Sequence, residues 1–138
     1  MKALIIFCFL ALVGDLAAQN HSITVVVKNV KDAHGNVAVA LFNNEKDFMK
    51  HRFDGKIIEA KPGEVQVVFE NVPPGPYAIS VMHDENQNNE LDSNLIGIPK
   101  EGFGFSNNAM GAFGPPSFEK ASFTCPVSHV ITVTLKYM

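Results

Sequence analysis

Apolar and polar positions alternate along most of the chain. Ile23-Thr24-Val25-Val26-Val27 is almost wholly β-branched, and Val37 to Phe42 follows after the turn-forming stretch Asp32-Ala33-His34-Gly35-Asn36. Two such runs around a short turn predict an antiparallel hairpin. Val65, Val67 and Phe69 alternate with Gln66, Val68 and Glu70, the period of a strand that buries one face. Pro73, Pro74 and Pro76 cannot donate to a ladder, so 71–76 must turn. Tyr77, Ile79 and Val81 then resume on one face, with Ala78, Ser80 and Met82 on the other. Ile131, Val133, Leu135 and Tyr137 alternate with Thr132, Thr134 and Lys136 as a half-buried final strand, with Glu119 to Thr124 as its hairpin partner. One segment breaks the period of two. From Glu45 to Phe53, residues Phe48, Met49, Arg52 and Phe53 fall near one face behind Asn43-Asn44, which predicts a short capped helix. Six or seven short strands at regular spacing predict an all-β chain, an antiparallel β-sandwich.

Two stretches stand outside this pattern. Met1-Lys2, an 11-residue apolar run from Ala3 to Val13 and the small residues Ala17-Ala18 form the three parts of a secretory signal peptide. The run is too short to cross about 30 Å of hydrocarbon as a helix. Cleavage is expected after Ala18, leaving 19–138 as one domain that is secreted or periplasmic and has no transmembrane segment. Cys8 inside the apolar run lacks the small residues that precede a lipidated cysteine. The second stretch, Asn94 to Ser117, is rich in Gly and Pro and carries Phe103, Phe105 and Phe113. Structureless loops of that length are uncommon, and so aromatic a loop is expected to pack down.

Composition narrows the function classes. The 138 residues are 46% hydrophobic with a net charge of −3, so no basic footprint for nucleic acid exists. Removing the signal segment takes Lys2 and Asp15 together and leaves that charge unchanged. It also takes Cys8, so Cys125 is alone and the exported chain is not a disulfide scaffold. Cys125, followed by Pro126, reads as a small buried apolar residue, with no basic neighbour in sequence to make it a nucleophile.

The strongest chemical signal is His83-Asp84-Glu85-Asn86-Gln87-Asn88-Asn89-Glu90-Leu91-Asp92. Oxygen-bearing side chains at Asp84, Asn86, Asn88 and Asp92 have the 1, 3, 5, 9 spacing of an EF-hand-like loop. Glu90 falls at position 7, which donates its backbone carbonyl, and Leu91 at the apolar position 8. A hard ion seeking six to eight oxygens suits this set, so Ca²⁺ is the expected cofactor, in a structural role. Two positions depart. Position 6, usually Gly, is Asn89, a residue that tolerates left-handed backbone. Position 12, usually Glu, is Leu95, so Asp92 or Glu101 must complete the shell. So few charges imply an affinity of roughly 10⁻⁴–10⁻³ M. The competing reading is that Asp and Asn simply cap turns here.

His83-Asp84-x-Asn86-x-Asn88-x-x-x-Asp92, Gly97-Ile98-Pro99-x-Glu101-Gly102-Phe103-Gly104-Phe105-Ser106 and Gly114-Pro115-Pro116-x-Phe118 resemble the signatures of a secreted bacterial family, domain of unknown function 2141. The resemblance spans essentially the whole exported chain. Asn71 to Ala78, Asn-Val-Pro-Pro-Gly-Pro-Tyr-Ala, is similar to the turn before a core strand in prealbumin-like and collagen-adhesin sandwiches. The resemblance implies a prealbumin-like, Ig-like sandwich and assigns no activity. Gln87 and Asn89 stand where the family often has Gly.

Enzyme signatures are weak. There is no G-x-S-x-G, H-E-x-x-H or C-x-x-C. The prealbumin-like fold hosts a purine-degrading hydrolase ending Tyr-Arg-Gly-Ser; this chain ends Leu-Lys-Tyr-Met, so that activity is not carried over. His83 reads either as the last residue of its strand on the Tyr77 face or as a group beside the bound ion. Phe103, Phe105, Phe113 and Phe118 form either a cap folded over one end of the sandwich or a platform for a glycan or peptide, and inward packing is favoured. The sequence thus leads to an exported, non-catalytic accessory or ligand-binding module of the cell envelope, whose partner is a glycan, a peptide or an envelope protein. The alternative is a metal-assisted hydrolase at the His83–Asp92 loop.

Overall fold

A computed structural model describes residues 19–138; the expected signal segment, 1–18, lies outside the described residues. Eight strands form two packed sheets: β1 His21–Val30, β2 Asn36–Phe42, β3 Asp54–Glu59, β4 Gly63–Val72, β5 Gly75–Asp84, β6 Phe103–Phe105, β7 Phe123–Cys125 and β8 Ile131–Thr134. One sheet runs β4-β1-β8; the other runs β3-β2-β5-β6, with β7 also paired to β5. The core lies between them. Ile23, Val25 and Val27 of β1, Val67 and Phe69 of β4, Val37, Val39 and Leu41 of β2, and Tyr77, Ile79 and Val81 of β5 are all buried in it. These are the alternate positions the period of two selects. The chain is a β-sandwich. Among the described residues no helix is long and apolar enough to cross a membrane.

Three sequence expectations are corrected. The runs 23–27 and 37–42 do not form a hairpin. β1 pairs with β4 and β8, β2 with β3 and β5, and residues 31–35 arch from one sheet to the other. Alternation is the same in either arrangement, because it states which face is buried and not which strand lies alongside. The final strand does not pair with 119–124 either. β8 lies parallel to β1, Val25 opposite Ile131, so the sandwich is not wholly antiparallel. Phe118–Ala121 is one helical turn, and β7 pairs with the start of β5.

The helix expected over Glu45 to Phe53 is a series of turns. Asn44 does cap it, its Oδ1 accepting from the Asp47 N–H at 2.8 Å. One helical hydrogen bond follows, from His51 N–H to Asp47 C=O. Met49, at φ 62°, then breaks the ladder in a conformation that costs an L-residue about 1–2 kcal/mol. A single turn does not repay helix nucleation. The segment is held by Phe48, whose ring meets Phe42, Phe105 and Phe118 edge-on.

The long loop is largely organised. Ser93 and Pro99 form a bridge, Asn94 Oδ1 accepts from the N–H groups of Ile96 and Ile98, and β6 joins the sheet through Ser80–Phe105. Phe105 is buried, Phe103 and Phe118 pack against it, and Phe113 is fully exposed. Three rings therefore fold inward and one does not.

Candidate metal site and its surroundings

The end of the sandwich where β5 leaves its sheet collects the polar groups. β2 pairs with β5 so that Val37 lies opposite His83 and Asn36 opposite Asp84. This register brings the 31–35 arch against the start of the acidic loop. His83 is the final core-facing residue of β5, on the Tyr77 face, and is wholly buried. Its Nε2 lies 2.7 Å from the His34 carbonyl and its Nδ1 2.8 Å from the Tyr137 hydroxyl. A carbonyl only accepts, so Nε2 carries the proton and Nδ1 accepts from Tyr137. The Tyr137 oxygen in turn accepts from Lys31 N–H at 2.9 Å.

Beyond His83 the acidic loop closes on itself. The buried Asp84 carboxylate accepts from Asn88 N–H at 3.1 Å and from Asn89 N–H at 2.7 Å. Gln87 and Asn89 take the left-handed backbone of a tight turn, at φ 57° and 61°. Asparagine thus fills position 6 in place of glycine. Asn86 and Asn88 donate their side-chain amides to the two oxygens of Asp92, at 2.6 and 2.8 Å. Their own oxygens accept from Asn88 N–H and Glu90 N–H. Glu101 reaches back from beyond the loop, accepting from Glu85 N–H at 3.1 Å and from Asp92 N–H at 3.3 Å. Asp84, Asn86, Asn88, Asp92 and Glu101 are therefore joined in one hydrogen-bonded network, while Glu90 is exposed and contributes only its backbone to it.

The electrostatics are lopsided. Asp84 and Glu101 are 2% and 4% exposed, and neither meets a basic side chain in an ion pair among the described residues. Burial pushes the Glu101 carboxyl above its ordinary value of 4.5, against the pull of the Asp92 N–H, with the neighbouring Asp92 and Asp84 charges pushing the same way. The Asn88 and Asn86 amides hold the Asp92 carboxyl low. With Glu101 raised, the folded state keeps its proton to higher pH than the unfolded chain. In chelator-treated protein its contribution to stability is therefore present in acid and lost as pH rises through the raised value. The stability of Glu101→Gln minus that of the wild type should accordingly increase with pH over this window, measured by urea denaturation from pH 4 upward; a flat difference would refute it.

A second group was missed in the sequence. Asp32, His83 and Glu85 each place a ligand atom within 4.8 Å of the others, an arrangement that can hold a metal ion. Asp32 Oδ1 is 3.8 Å from His83 Nε2 and accepts from His34 N–H at 2.9 Å, the contact that chiefly lowers its pKa. Glu85 pairs with Lys31 Nζ at 3.2 Å. A cation taken by His83 Nε2 must displace the bond to His34, so the open donors of this group are the two carboxylates. Asp32 lies in the 32–36 turn and Glu85 in the acidic loop, more than fifty residues apart, and the pairing of 37–42 with 78–84 brings them together.

The family model described as "Uncharacterized protein conserved in bacteria (DUF2141)" matches residues 25–132. The chain belongs to this family. The DUF2141 match takes in both sheets, the acidic loop and the long Gly/Phe loop. No curated protein and no solved structure matches the chain.

Proposed function

We propose that this DUF2141 chain is an exported, non-catalytic binding module of the cell envelope whose acidic loop is closed by one structural Ca²⁺. One observation carries the cation: Asp84 and Glu101 are two buried carboxylates in the same loop as Asp92, held by backbone N–H groups and without a basic side chain in an ion pair among the described residues. Buried charges are ordinarily paired or bound to metal. The surrounding donors are oxygens from carboxylates and carboxamides, the set a hard divalent cation accepts. Asp84, Asn86, Asn88, Asp92 and Glu101 supply side chains, and Glu90 its carbonyl. Such a cation staples residues 84–101 and leaves the amide–carboxylate contacts to Asp92 to rearrange around it. Export rests on the segment Met1–Ala18. The non-catalytic reading is favoured over the hydrolase because two hollows beside the loop, on a sheet face, take in Asn89 and Leu91 as walls but are not lined by Asp84, Asp92 or Glu101.

The test is a melting experiment on the protein of residues 19–138. At 10 mM Ca²⁺ and a dissociation constant of about 10⁻⁴–10⁻³ M, linkage adds roughly 1.4–2.7 kcal/mol. That raises the melting temperature by several degrees. Asp92→Asn should abolish the rise, and Mg²⁺ should give less. Absence of any rise in the wild type would overturn the reading. Zn²⁺ in a parallel arm distinguishes the second group: a shift lost in Asp32→Asn but kept in Asp92→Asn places a softer ion at Asp32, His83 and Glu85 instead.

A further inference from the structure

The outer face of the β3-β2-β5-β6 sheet is unlike a solvated sheet face. Outward positions of an antiparallel sheet are normally polar. Here register aligns Gly55, Ala40, Ser80 and Phe105 in one cross-strand row and Ile57, Ala38, Met82 and Phe103 in the next. Neither row carries a charge. Phe48 and Phe118 cover one end through their packing on Ala78 and Phe105. Between this cover and the acidic loop lies a hollow of about 500 Å³. A second, of about 460 Å³, continues it beneath the long loop, and the two share Met49, Leu91, Phe103 and Phe105 as walls. Hollows of this size suit a small ligand. The rim is apolar and open: Phe113 is fully exposed and Met138 is 71% exposed.

One end of the trough is cationic. The Arg52 side chain lies across the sheet at Gly55, so close that an added Cβ there would meet its Nε at 2.8 Å and its Cδ at 2.9 Å. The small residues at Gly55, Ala40 and Ser80 leave the floor open beside it. Arg52 is in no ion pair among the described residues. A guanidinium at the head of an apolar trough, with Lys56 also in its lining, is complementary to an acyl chain ending in a carboxylate, which the planar fork holds bidentately.

We propose that this trough binds a single long-chain carboxylate, its head on Arg52 and its tail running past Met49, Leu91 and Phe103 towards Ile98 and Phe113. The inference rests on the reading of the chain as a binding module and names its ligand class. Because Asn89 and Leu91 of the acidic loop also wall the first hollow, a bound cation firms one side of the trough.

Dodecanoate, below its micellar concentration, is titrated into protein carrying ¹³C-methyl methionine, by calorimetry and NMR, with and without Ca²⁺. One molecule should bind per chain and shift the methyl signals of Met49, Met82 and Met138. Arg52→Gln should weaken dodecanoate by about tenfold or more while leaving dodecanol unchanged. Ala40→Leu, which fills the floor, should remove both, with the melting temperature confirming that each variant is folded. Binding that persists with chelator leaves the trough standing even if the cation reading fails. The proposal is overturned if dodecanoate does not bind, if Arg52→Gln treats acid and alcohol alike, if the shifts fall elsewhere, or if only anionic lipid vesicles are bound.

Discussion

Gly35→Ala is expected to cost about 3 kcal/mol or more of folding stability, among the largest single-residue effects in this domain. Gly35 sits at φ +68° at the end of the arch between the two sheets, where an L side chain is already strained. Space makes matters worse. A Cβ there would lie 2.0 Å from the Asp84 carbonyl oxygen and 2.7 Å from that of Glu85, both backbone atoms that cannot swing aside. Relief requires the arch to lift off β5. That would also stretch the bond from Ala60 N–H to the Gly35 carbonyl, at 3.1 Å, and the one from His83 to His34. Urea denaturation measures the loss, and a cost under about 1 kcal/mol would show that the arch is free to move. If the acidic loop binds Ca²⁺ as proposed, the variant should also lose part of that stabilisation, since Asp84 is displaced.

His83→Leu is the second. Leucine keeps the apolar bulk of the position but takes away the part-buried donor to the His34 carbonyl and leaves the Tyr137 hydroxyl without its acceptor. Each unsatisfied buried group costs about 1–3 kcal/mol, so a total of roughly 2–4 kcal/mol is expected, reduced by whatever water reaches Tyr137. Tyr137→Phe alone should cost about 1 kcal/mol. The double variant should be clearly better than the sum, with a coupling of at least about 0.5 kcal/mol from a double-mutant cycle. Additive losses would mean that His83 and Tyr137 act separately, and the chain Lys31–Tyr137–His83–His34 would lose its standing as one unit. The ring of Tyr137 also crosses Gly102, where an added Cβ would meet it at 2.5 Å. The C-terminal strand is thereby pinned next to Glu101, which clamps the acidic loop.

The acidic loop was the most legible part of the site. Its ligand spacing lies within nine residues, and a local pattern survives any arrangement of the strands around it. Asn89 shows why. Its left-handed backbone is a property of one residue and its neighbours, and asparagine meets it nearly as well as glycine. Glu101 was legible as a candidate from the gap at position 12, although its double hold on Glu85 and Asp92 required coordinates. Asp32 and Gly35 were not legible as site residues. They read as ordinary turn formers, and nothing near them in the chain refers to His83 or Asp84. The trough was hidden for a related reason. Ala38, Ala40 and Ser80 look like undemanding outward positions until their register aligns them.

Period-two alternation by itself determined which side chains of each strand enter the core, and therefore that two sheets face one another across it. The oxygen-rich stretch after Met82 was equally fixed, since its chemistry and its turns are local. Partnership was decided only by the tertiary structure. Whether β1 lies beside β2 or beside β4 and β8 changes no residue's burial, so hydrophobicity is silent on it. Hydrogen bonds between distant segments and the packing of Phe48, His83 and Tyr137 settle the choice, and they alone bring the arch, the acidic loop and the C-terminus to one end of the sandwich.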